Sequence, residues 1–288
     1  MYYISFFPIY PVLFFFISGI LIAQMIEFYM IIIRSKVRLV MQGEDGIRIN
    51  KYLSISGALS RRKADEAVES GRVFIDGKKA VLGDTVSEGQ VVTLDGKVVT
   101  PEEKKVIYIY NKPMGQVCTA YEADKDSIFR YVDFPVKVNY VGRLDKDSQG
   151  LLLLTNDGDL SNNIQKAVNR HEKEYVVRVD KPLTEDFMNG MRSGVPILDT
   201  VTRPCKLRKH GQNTFNIIIT QGLNRQIRRM CEYFGYRVVF LKRIRIMNVG
   251  LGSLEPGEYR ELTEAEEKEL RQRCGNAKKR DRYGGLDK

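Results

Sequence analysis

The run VGRLDKDSQGLLLLTNDG at residues 141–158 decides how the larger part of this chain folds. Its second half holds four consecutive leucines, beginning at Leu151, which predict a buried strand. Glycines and polar residues precede that strand, so the first half predicts a loop held rigidly by the strand that follows. Catalytic side chains are commonly placed on such loops. The loop offers two carboxylates, Asp145 and Asp147, and one cation, Arg143.

These carboxylates permit two interpretations. Most aspartates in loops cap a turn and face solvent. A carboxylate on a rigid loop beside an arginine could instead act on a substrate. The residues of the loop by themselves leave both interpretations open.

Strand and helix patterns continue outward from this run to about Arg273. Candidate strands span residues 106–110, 151–155, 174–179, 214–220 and 236–241, and candidate helices span 158–168, 184–193, 225–234 and 263–273. Strands mixed with irregularly spaced helices predict an α+β domain over residues 106–273, with a mixed, largely antiparallel sheet. The polar residues 275–288 predict a disordered tail.

The composition favours an anionic partner. Lys and Arg outnumber Asp and Glu by 46 to 36, a formal net charge of +10, which predicts binding to phosphates or anionic surfaces. The 4 cysteines are far apart with no CxxC pair, and there are 2 histidines; this pattern argues against a disulfide scaffold and a zinc site. GxGxxG, GxxxxGK[ST] and GxSxG motifs are absent from the sequence. We therefore expect no cofactor and no metal, and structural roles for His171 and His210.

Residues 46–100 predict a small domain of their own. Ser60 is a good N-cap for the helix RRKADEAVES, and Gly71 is a good stop for it. The segments RVFIDG and QVVTLDG predict strands, with Asp-Gly pairs at 76–77 and 95–96 that favour tight turns.

Three consecutive basic residues, Arg61, Arg62 and Lys63, open that predicted helix. The backbone N–H groups of a helix N-terminus also favour anions, so the cluster is a candidate phosphate contact. A solvated, charged helix face is the alternative.

A second basic stretch begins with the helix predicted over residues 225–234, for which Asn224 is a good N-cap and Gly235 a good stop. Arg228 lies on the flank of its apolar face, where partial burial calls for a carboxylate partner. Residues 225–245 contain one acid and seven basic residues: Arg225, Arg228, Arg229, Arg237, Lys242, Arg243 and Arg245. We interpret this stretch as a phosphate-facing surface.

The first 33 residues are almost wholly apolar. They are longer than the roughly 20 residues that cross a bilayer, although Glu27 interrupts them, whereas Met41 begins a segment typical of a soluble protein. A membrane anchor and an upstream extension are both open interpretations. Our hypothesis is that residues 1–40 are an extension introduced by a misplaced start and that the protein is cytoplasmic.

The small domain resembles a known RNA-binding module. The segment RINKYLSISGALSRRKADEAVESGRVFIDGKKAVLGDTVSEGQVVTL is similar nearly from end to end to S4 domains. The resemblance implies that its basic residues contact RNA phosphates, which give salt-dependent affinity without reading sequence.

The larger domain resembles an enzyme family. The run GRLDKDSQGLLLLTNDGD is similar to the catalytic motif of the pseudouridine synthases, in particular the RsuA branch, which carries an N-terminal S4 domain. NKPMG at 111–115, HEKEYVV at 171–177 and GLNRQIRRM at 222–230 match further family motifs in order.

This resemblance implies roles for individual residues. Asp145 would be the essential carboxylate, whereas Asp147 has no such role. Tyr175 would pack against the target base, and Arg228 would pair with the catalytic aspartate. The RNA-binding residues expected are Arg61, Arg62, Lys63, Arg143, Arg225 and Arg229.

The implied reaction converts a uridine in RNA to pseudouridine by breaking the N1–C1′ bond and forming a C5–C1′ bond. Within the family, the motifs most resemble enzymes that act on large-subunit (23S) ribosomal RNA, and we expect a monomer. A small-subunit (16S) enzyme and a non-catalytic S4-domain RNA-binding protein are the alternatives.

Overall fold

A computed structural model describes residues 25–32, 46–101, 104–121 and 123–283. The chain divides into two compact units, Met1–Lys104 and Lys105–Lys288. Residues 25–32 form helix α1, and the rest of the extension predicted over residues 1–40 lies outside the described residues. None of the described helices has the length together with the apolar composition that crossing a membrane requires.

The first unit contains the predicted pair of helices followed by short strands. Its elements are α2 (Ile49–Ile55), α3 (Arg61–Glu69), β1 (Ile47–Arg48), β2 (Val73–Ile75), β3 (Lys78–Lys79), β4 (Thr85–Val86), β5 (Val92–Leu94) and β6 (Lys97–Val99). Strand β1 pairs with β4, and the other strands form an antiparallel sheet in the order β3-β2-β5-β6. The helices and the sheet share a core that includes Tyr52, Leu53, Ala64 and Val73.

The predicted caps and turns of this unit are confirmed. The side chain of Ser60 accepts a hydrogen bond from the backbone N–H of Lys63, and Gly71, at φ +73°, follows the end of α3. Asp76 and Asp95 have φ of +48° and +52°, and a glycine with positive φ follows each. Two successive positive φ values are the backbone signature of a tight hairpin turn.

The second unit is built on one nine-stranded sheet. Its strands are β7 (Ile107–Lys112), β8 (Asn139–Val141), β9 (Gln149–Thr155), β10 (Lys173–Val179), β13 (Lys206–Lys209), β14 (Thr214–Ile219), β15 (Val238–Ile246), β16 (Val249–Gly250) and β17 (Tyr259–Glu261), with a separate hairpin of β11 (Pro196–Ile197) and β12 (Thr200–Val201). Its helices are α4 (Gly158–Gln165), α5 (Glu185–Ser193), α6 (Gln226–Tyr233) and α7 (Glu264–Tyr283). Every strand and helix predicted for this region is present. Most have small shifts at the ends, whereas β15 and α7 continue well beyond their predicted ends.

The sheet confirms the predicted α+β class. Its main strand order is β13-β14-β10-β15-β9-β7-β17, with β16 beside β15 and β8 beside β9. In the part of the sheet that the structure describes, all strand pairs are antiparallel except β9 with β15, which are parallel. The sheet is therefore mixed and largely antiparallel.

The four leucines of β9 are buried because helices cover both faces of the sheet. Leu152 and Leu154 point into one core, with side chains of α5 and α6. Leu151 and Leu153 point into the other, with side chains of α4 and α7. A strand with both faces covered is a continuous apolar run rather than an alternating one.

A close approach of β9 and β15 leaves room for no side chain at Gly150. A Cβ atom there would lie 2.2 Å from the carbonyl oxygen of Arg243, and the φ of Gly150 is +106°. Cross-strand pairing places Ile217, Tyr175, Arg243, Gly150 and Lys112 in one row across the sheet. The glycine therefore lies between two basic residues.

The C-terminal helix is longer than predicted. Helix α7 continues to Tyr283, so it includes the first part of the segment 275–288 for which the sequence predicts a disordered tail. Residues 284–288 lie outside the described residues.

Candidate active site

The loop before β9, which carries Asp145 and Asp147, is anchored by buried groups. The backbone N–H of Leu144 donates to the Sγ atom of Cys118 at 3.5 Å. The N–H of Ser148 donates to the carbonyl oxygen of Asp145 at 3.1 Å, which closes the loop on itself. The side chain of Asp145 is nevertheless 37% exposed, so its carboxylate is accessible on a fixed backbone.

Lys112 is a functional candidate that the sequence motifs do not single out. It is fully buried at the end of β7, and its Nζ donates to the carbonyl oxygens of Ser148 at 2.8 Å and Pro113 at 2.9 Å. Burial lowers the pKa of Lys112. Strand alternation was the sequence signal that could have identified Lys112. Tyr108 and Tyr110 precede it at two-residue spacing, point to the same face and are also buried.

The predicted pairing of Arg228 with Asp145 is wrong. The Nη2 atom of Arg228 donates to the carbonyl oxygen of Asp147 at 2.9 Å and to the Oγ of Ser148 at 3.1 Å, and lies 3.3 Å from the Asp147 carboxylate. Its Nη1 donates to the carbonyl oxygen of Val238 at 3.3 Å. The side chain is buried on the flank of α6, as predicted, so it meets the inner end of the loop rather than the exposed carboxylate of Asp145.

Arg225 takes the place predicted for Arg228. Its guanidinium lies 3.1 Å from the carboxylate of Asp147 and 3.7 Å from that of Asp145. Burial acts to raise the pKa of Asp147, but the hydrogen bond from Arg225 and the charges of both arginines outweigh it, so this pKa lies below its usual value. Asp147, expected to have no essential role, therefore links both arginines to the loop.

The N-terminus of α6 also differs from the prediction. Asn224 does not cap it; Arg225 is the N-cap residue, in the left-handed region at φ +48°, with no side-chain cap. The oxygen atoms of Asn224 instead accept hydrogen bonds from Arg229. Gly235 follows the helix end at φ +72°, as predicted.

Tyr175 lies on the same side of the sheet as the anchoring groups of the loop. It is 8% exposed and shares its core cluster with Val177 and Val179, which confirms its predicted inward orientation. Its neighbours across the strands are Ile217 and Arg243. Two strand spacings separate β10 from β9, a distance of about 10 Å.

The stretch 225–245 is not one continuous phosphate-facing surface. Arg243 is 3% exposed, and its Nε donates to the carbonyl oxygen of Leu151 at 2.7 Å. Arg245 is paired with Glu174 at 2.8 Å and with Glu172 at 3.1 Å. These acids belong to the segment of β10 and come beside β15 only through sheet pairing, so the count of acids within 225–245 could not reveal them.

The predicted RNA-binding residues are mostly at the surface of their own units. Arg61, Arg62 and Lys63 are exposed on the first turn of α3. In the second unit, Arg143 and Arg225 are exposed. Arg229, four residues after Arg225, is partly buried.

Among the described residues, no group of His, Cys, Asp and Glu side chains is arranged to hold a metal ion. Cys118, Cys205, Cys231 and Cys274 are free thiols. His171 is buried, and burial lowers its pKa.

Comparison with known proteins identifies both units. Residues 106–233 match the family model described as RNA pseudouridylate synthase, and residues 47–92 match the S4 domain. The dual-specificity RNA pseudouridine synthase RluF of Escherichia coli K12 is 52% identical over 225 residues, which cover 77% of this chain and 78% of that protein. The chain belongs to the RsuA family of RNA pseudouridine synthases. It is an isomerase of the RluF type.

Other RNA pseudouridine synthases support this assignment. The RluF protein of Salmonella typhi is 53% identical over 76% of each chain. The ribosomal small subunit pseudouridine synthase A of Haemophilus influenzae is 32% identical, with 78% of this chain and 99% of that protein covered. A solved structure described as a pseudouridylate synthase superposes with a TM-score of 0.58 at 32% identity, covering 78% of this chain and 99% of that chain.

Proposed function

We propose that this pseudouridine synthase isomerises a specific uridine of large-subunit (23S) ribosomal RNA and acts as a monomer. The motifs most resemble the type that acts on that RNA, and the RluF relatives are more similar to this chain than the small-subunit enzyme, at 52% against 32% identity. The observation that carries the catalytic assignment is the accessible carboxylate of Asp145 on an otherwise anchored loop.

Asp145 is the proposed catalytic carboxylate. It acts either as the nucleophile at C1′ of the target ribose or as a base on that ribose; both routes need the ionised form. The guanidinium of Arg225 lies 3.7 Å from this carboxylate and places a positive charge beside it. Arg228 is a positioning residue in this proposal, since it acts on the loop through Asp147 and Ser148.

The target base must leave its stack to reach this loop. In the proposal, the flipped uracil packs against the inward-facing ring of Tyr175. Arg143 fills the vacated place in the RNA or holds a phosphate. Phosphate contacts by exposed basic residues then fix the register of the RNA; these residues are Arg61, Arg62, Lys63, Arg225 and Arg229.

The test is a map of pseudouridines in ribosomal RNA from a strain that lacks this gene, complemented with the wild type or with Asp145→Asn. We expect one 23S position to lose pseudouridine in the deletion strain and regain it only with the wild type. The activity of the purified Asp145→Asn variant should be about 10⁴-fold or more below that of the wild type, and the variant should still bind RNA.

Asp133→Asn, at an exposed position of the same unit, is the matched control and should restore the modification. Loss of a 16S position instead would contradict the proposed substrate and favour the small-subunit alternative. Because the RluF relatives are named dual-specificity enzymes, the map should extend to the other stable RNAs of the cell.

A further inference from the structure

Two buried basic side chains and one partly buried one lie in the second unit on the side of the sheet that carries Tyr175. Lys112 is 0% and Arg243 is 3% exposed. Lys173 precedes Tyr175 by two residues on β10 and pairs with Ile219, whose side chain belongs to the same core as Tyr175. Burial and the charge of Arg243 lower the pKa of Lys173 to about 8.

No carboxylate forms an ion pair with these three groups within the described part of the chain. Lys112 donates to two carbonyl oxygens. The Nη2 atom of Arg243 is buried without a hydrogen-bond partner, and the ammonium group of Lys173 has neither a hydrogen bond nor an ion pair there. Burial of a cation without a counter-charge is unfavourable because the cation loses hydration that nothing replaces. Such a group is therefore suited to a site that an anionic ligand completes.

The position of these groups favours the target base over the RNA backbone as that ligand. Arg243 is the cross-strand neighbour of Tyr175, on which the base is proposed to stack, and Lys173 lies on the same strand. The edge of a base stacked there comes within reach of both side chains. By contrast, the exposed side chains of Arg143 and Arg225 are accessible to a phosphodiester at the protein surface.

We propose that Lys173 and Arg243 are catalytic residues that bind the detached uracil as an anion. The proposal rests on the proposed function. When the N1–C1′ bond breaks, the base leaves with the bonding electron pair on either route open to Asp145. Its negative charge is shared by N1 and the two carbonyl oxygens, which accept hydrogen bonds from Nζ of Lys173 and Nη2 of Arg243.

The rest of the reaction then balances without another reactant. While these bonds hold the base, it turns so that C5 faces C1′. An electron pair of the ring forms the C5–C1′ bond, the proton on C5 passes to N1, and Asp145 returns to its starting state.

The test compares Lys173→Met with Lys173→Arg on a 23S rRNA transcript that contains 5-tritiated uridine, at saturating enzyme in a single turnover. Loss of one hydrogen-bond donor to a developing anion typically costs 10²–10³-fold in rate. We expect Lys173→Met to slow tritium release by about 10²-fold, with RNA affinity unchanged. Lys173→Arg keeps the charge and should retain most of the rate.

The pH profile distinguishes this role from a structural one. In the wild type, kcat/KM should fall as pH rises through about 8, because Lys173 loses its proton. Lys173→Arg should lack that decline. The residues paired with Lys173 on the adjacent strands are Ile219 and Ile246. Within the described part of the chain, the titratable groups close to it are Arg243 and His171.

Lys268→Met removes one charge from α7, which packs on the opposite face of the sheet, and should leave the rate and the profile unchanged.

Equal rates for wild type and Lys173→Met, or the same pH decline in Lys173→Arg, would overturn the proposal. If Lys173→Met does not fold, the Lys173→Arg profile decides. If the wild type does not convert the transcript, the proposed substrate is wrong, and total RNA from the deletion strain serves as substrate for the same comparison.

Discussion

Helices α3 and α6 both begin with basic residues, but their arginines have different partners. On α3, Arg61 and Arg62 are exposed and Ser60 caps the helix. At α6, Arg225 is the N-cap residue, makes no side-chain cap and pairs with Asp147, whereas Arg228 is largely buried against the same loop.

The comparison separates two uses of positive charge in one enzyme. The cluster on α3 is open to an RNA phosphate. The arginines of α6 are partly neutralised by the loop that carries Asp145, and one of them fixes the backbone of that loop. We therefore expect changes on α3 to affect RNA affinity and a change of Arg228 on α6 to affect the reaction rate.

Among changes to the two helices, the largest effect is expected for Arg228→Gln. This variant loses the charged contacts to Asp147 and Ser148 that hold the loop. A displacement of a catalytic group by about 1 Å can cost 10²-fold in rate, and we expect a fall of that size in the single-turnover rate at saturating enzyme. RNA affinity should stay within about twofold of the wild type, because the lost contacts are internal.

Arg229→Gln, one residue further along α6, is the matched control. Its side chain contacts Asn224 rather than the loop, so the saturated rate should be close to that of the wild type. If the single-turnover rate falls equally in the two variants, anchoring of the loop by Arg228 does not explain the fall.

An intermediate effect is expected when Arg61, Arg62 and Lys63 are all changed to Gln. RNA affinity should fall, and the slope of log affinity against log salt should decrease by about two to three units, because each phosphate contact contributes 0.7 to 0.9. The rate at saturating enzyme should not change. A lower saturated rate with the wild-type salt slope would contradict the assignment of α3 to phosphate binding.

The smallest effect is expected from the capping residues. Ser60→Ala removes the bond to the N–H of Lys63, which should destabilise α3 by about 1 kcal/mol. Asn224→Ala removes no cap of α6 and should change stability by less than about 0.5 kcal/mol. Hydrogen exchange of the backbone amides in the full chain measures both effects. A larger increase of exchange in α6 for Asn224→Ala than in α3 for Ser60→Ala would contradict this prediction.

The sequence predicted local structure well where the signal was local. Ser60 and Gly71 gave the ends of α3, and the leucine run at residues 151–154 gave the buried strand β9. Capping, turn formation and burial periodicity depend on residues close together in the chain. The same reasoning failed at Asn224, where a contact to Arg229 replaced the cap.

Prediction of the site was less complete because its contacts join distant segments. Asp145, Tyr175 and Arg228 were named from motifs, but the partner of Arg228 was wrong. Lys112 and Lys173 lie within the matched motifs, which assign them no role. Their burial depends on the strand order β10-β15-β9-β7, which the sequence pattern does not specify.

The sequence by itself determined two domains, an α+β class, a buried strand after a carboxylate-bearing loop, and membership of an RNA-modifying family. These follow from patterns and motifs along the chain. Only the tertiary structure decided which charges meet. Electrostatic interaction depends on distance and burial, and pairing of β10, β15 and β9 brings Arg243 beside Tyr175 while leaving Gly150 without space for a side chain.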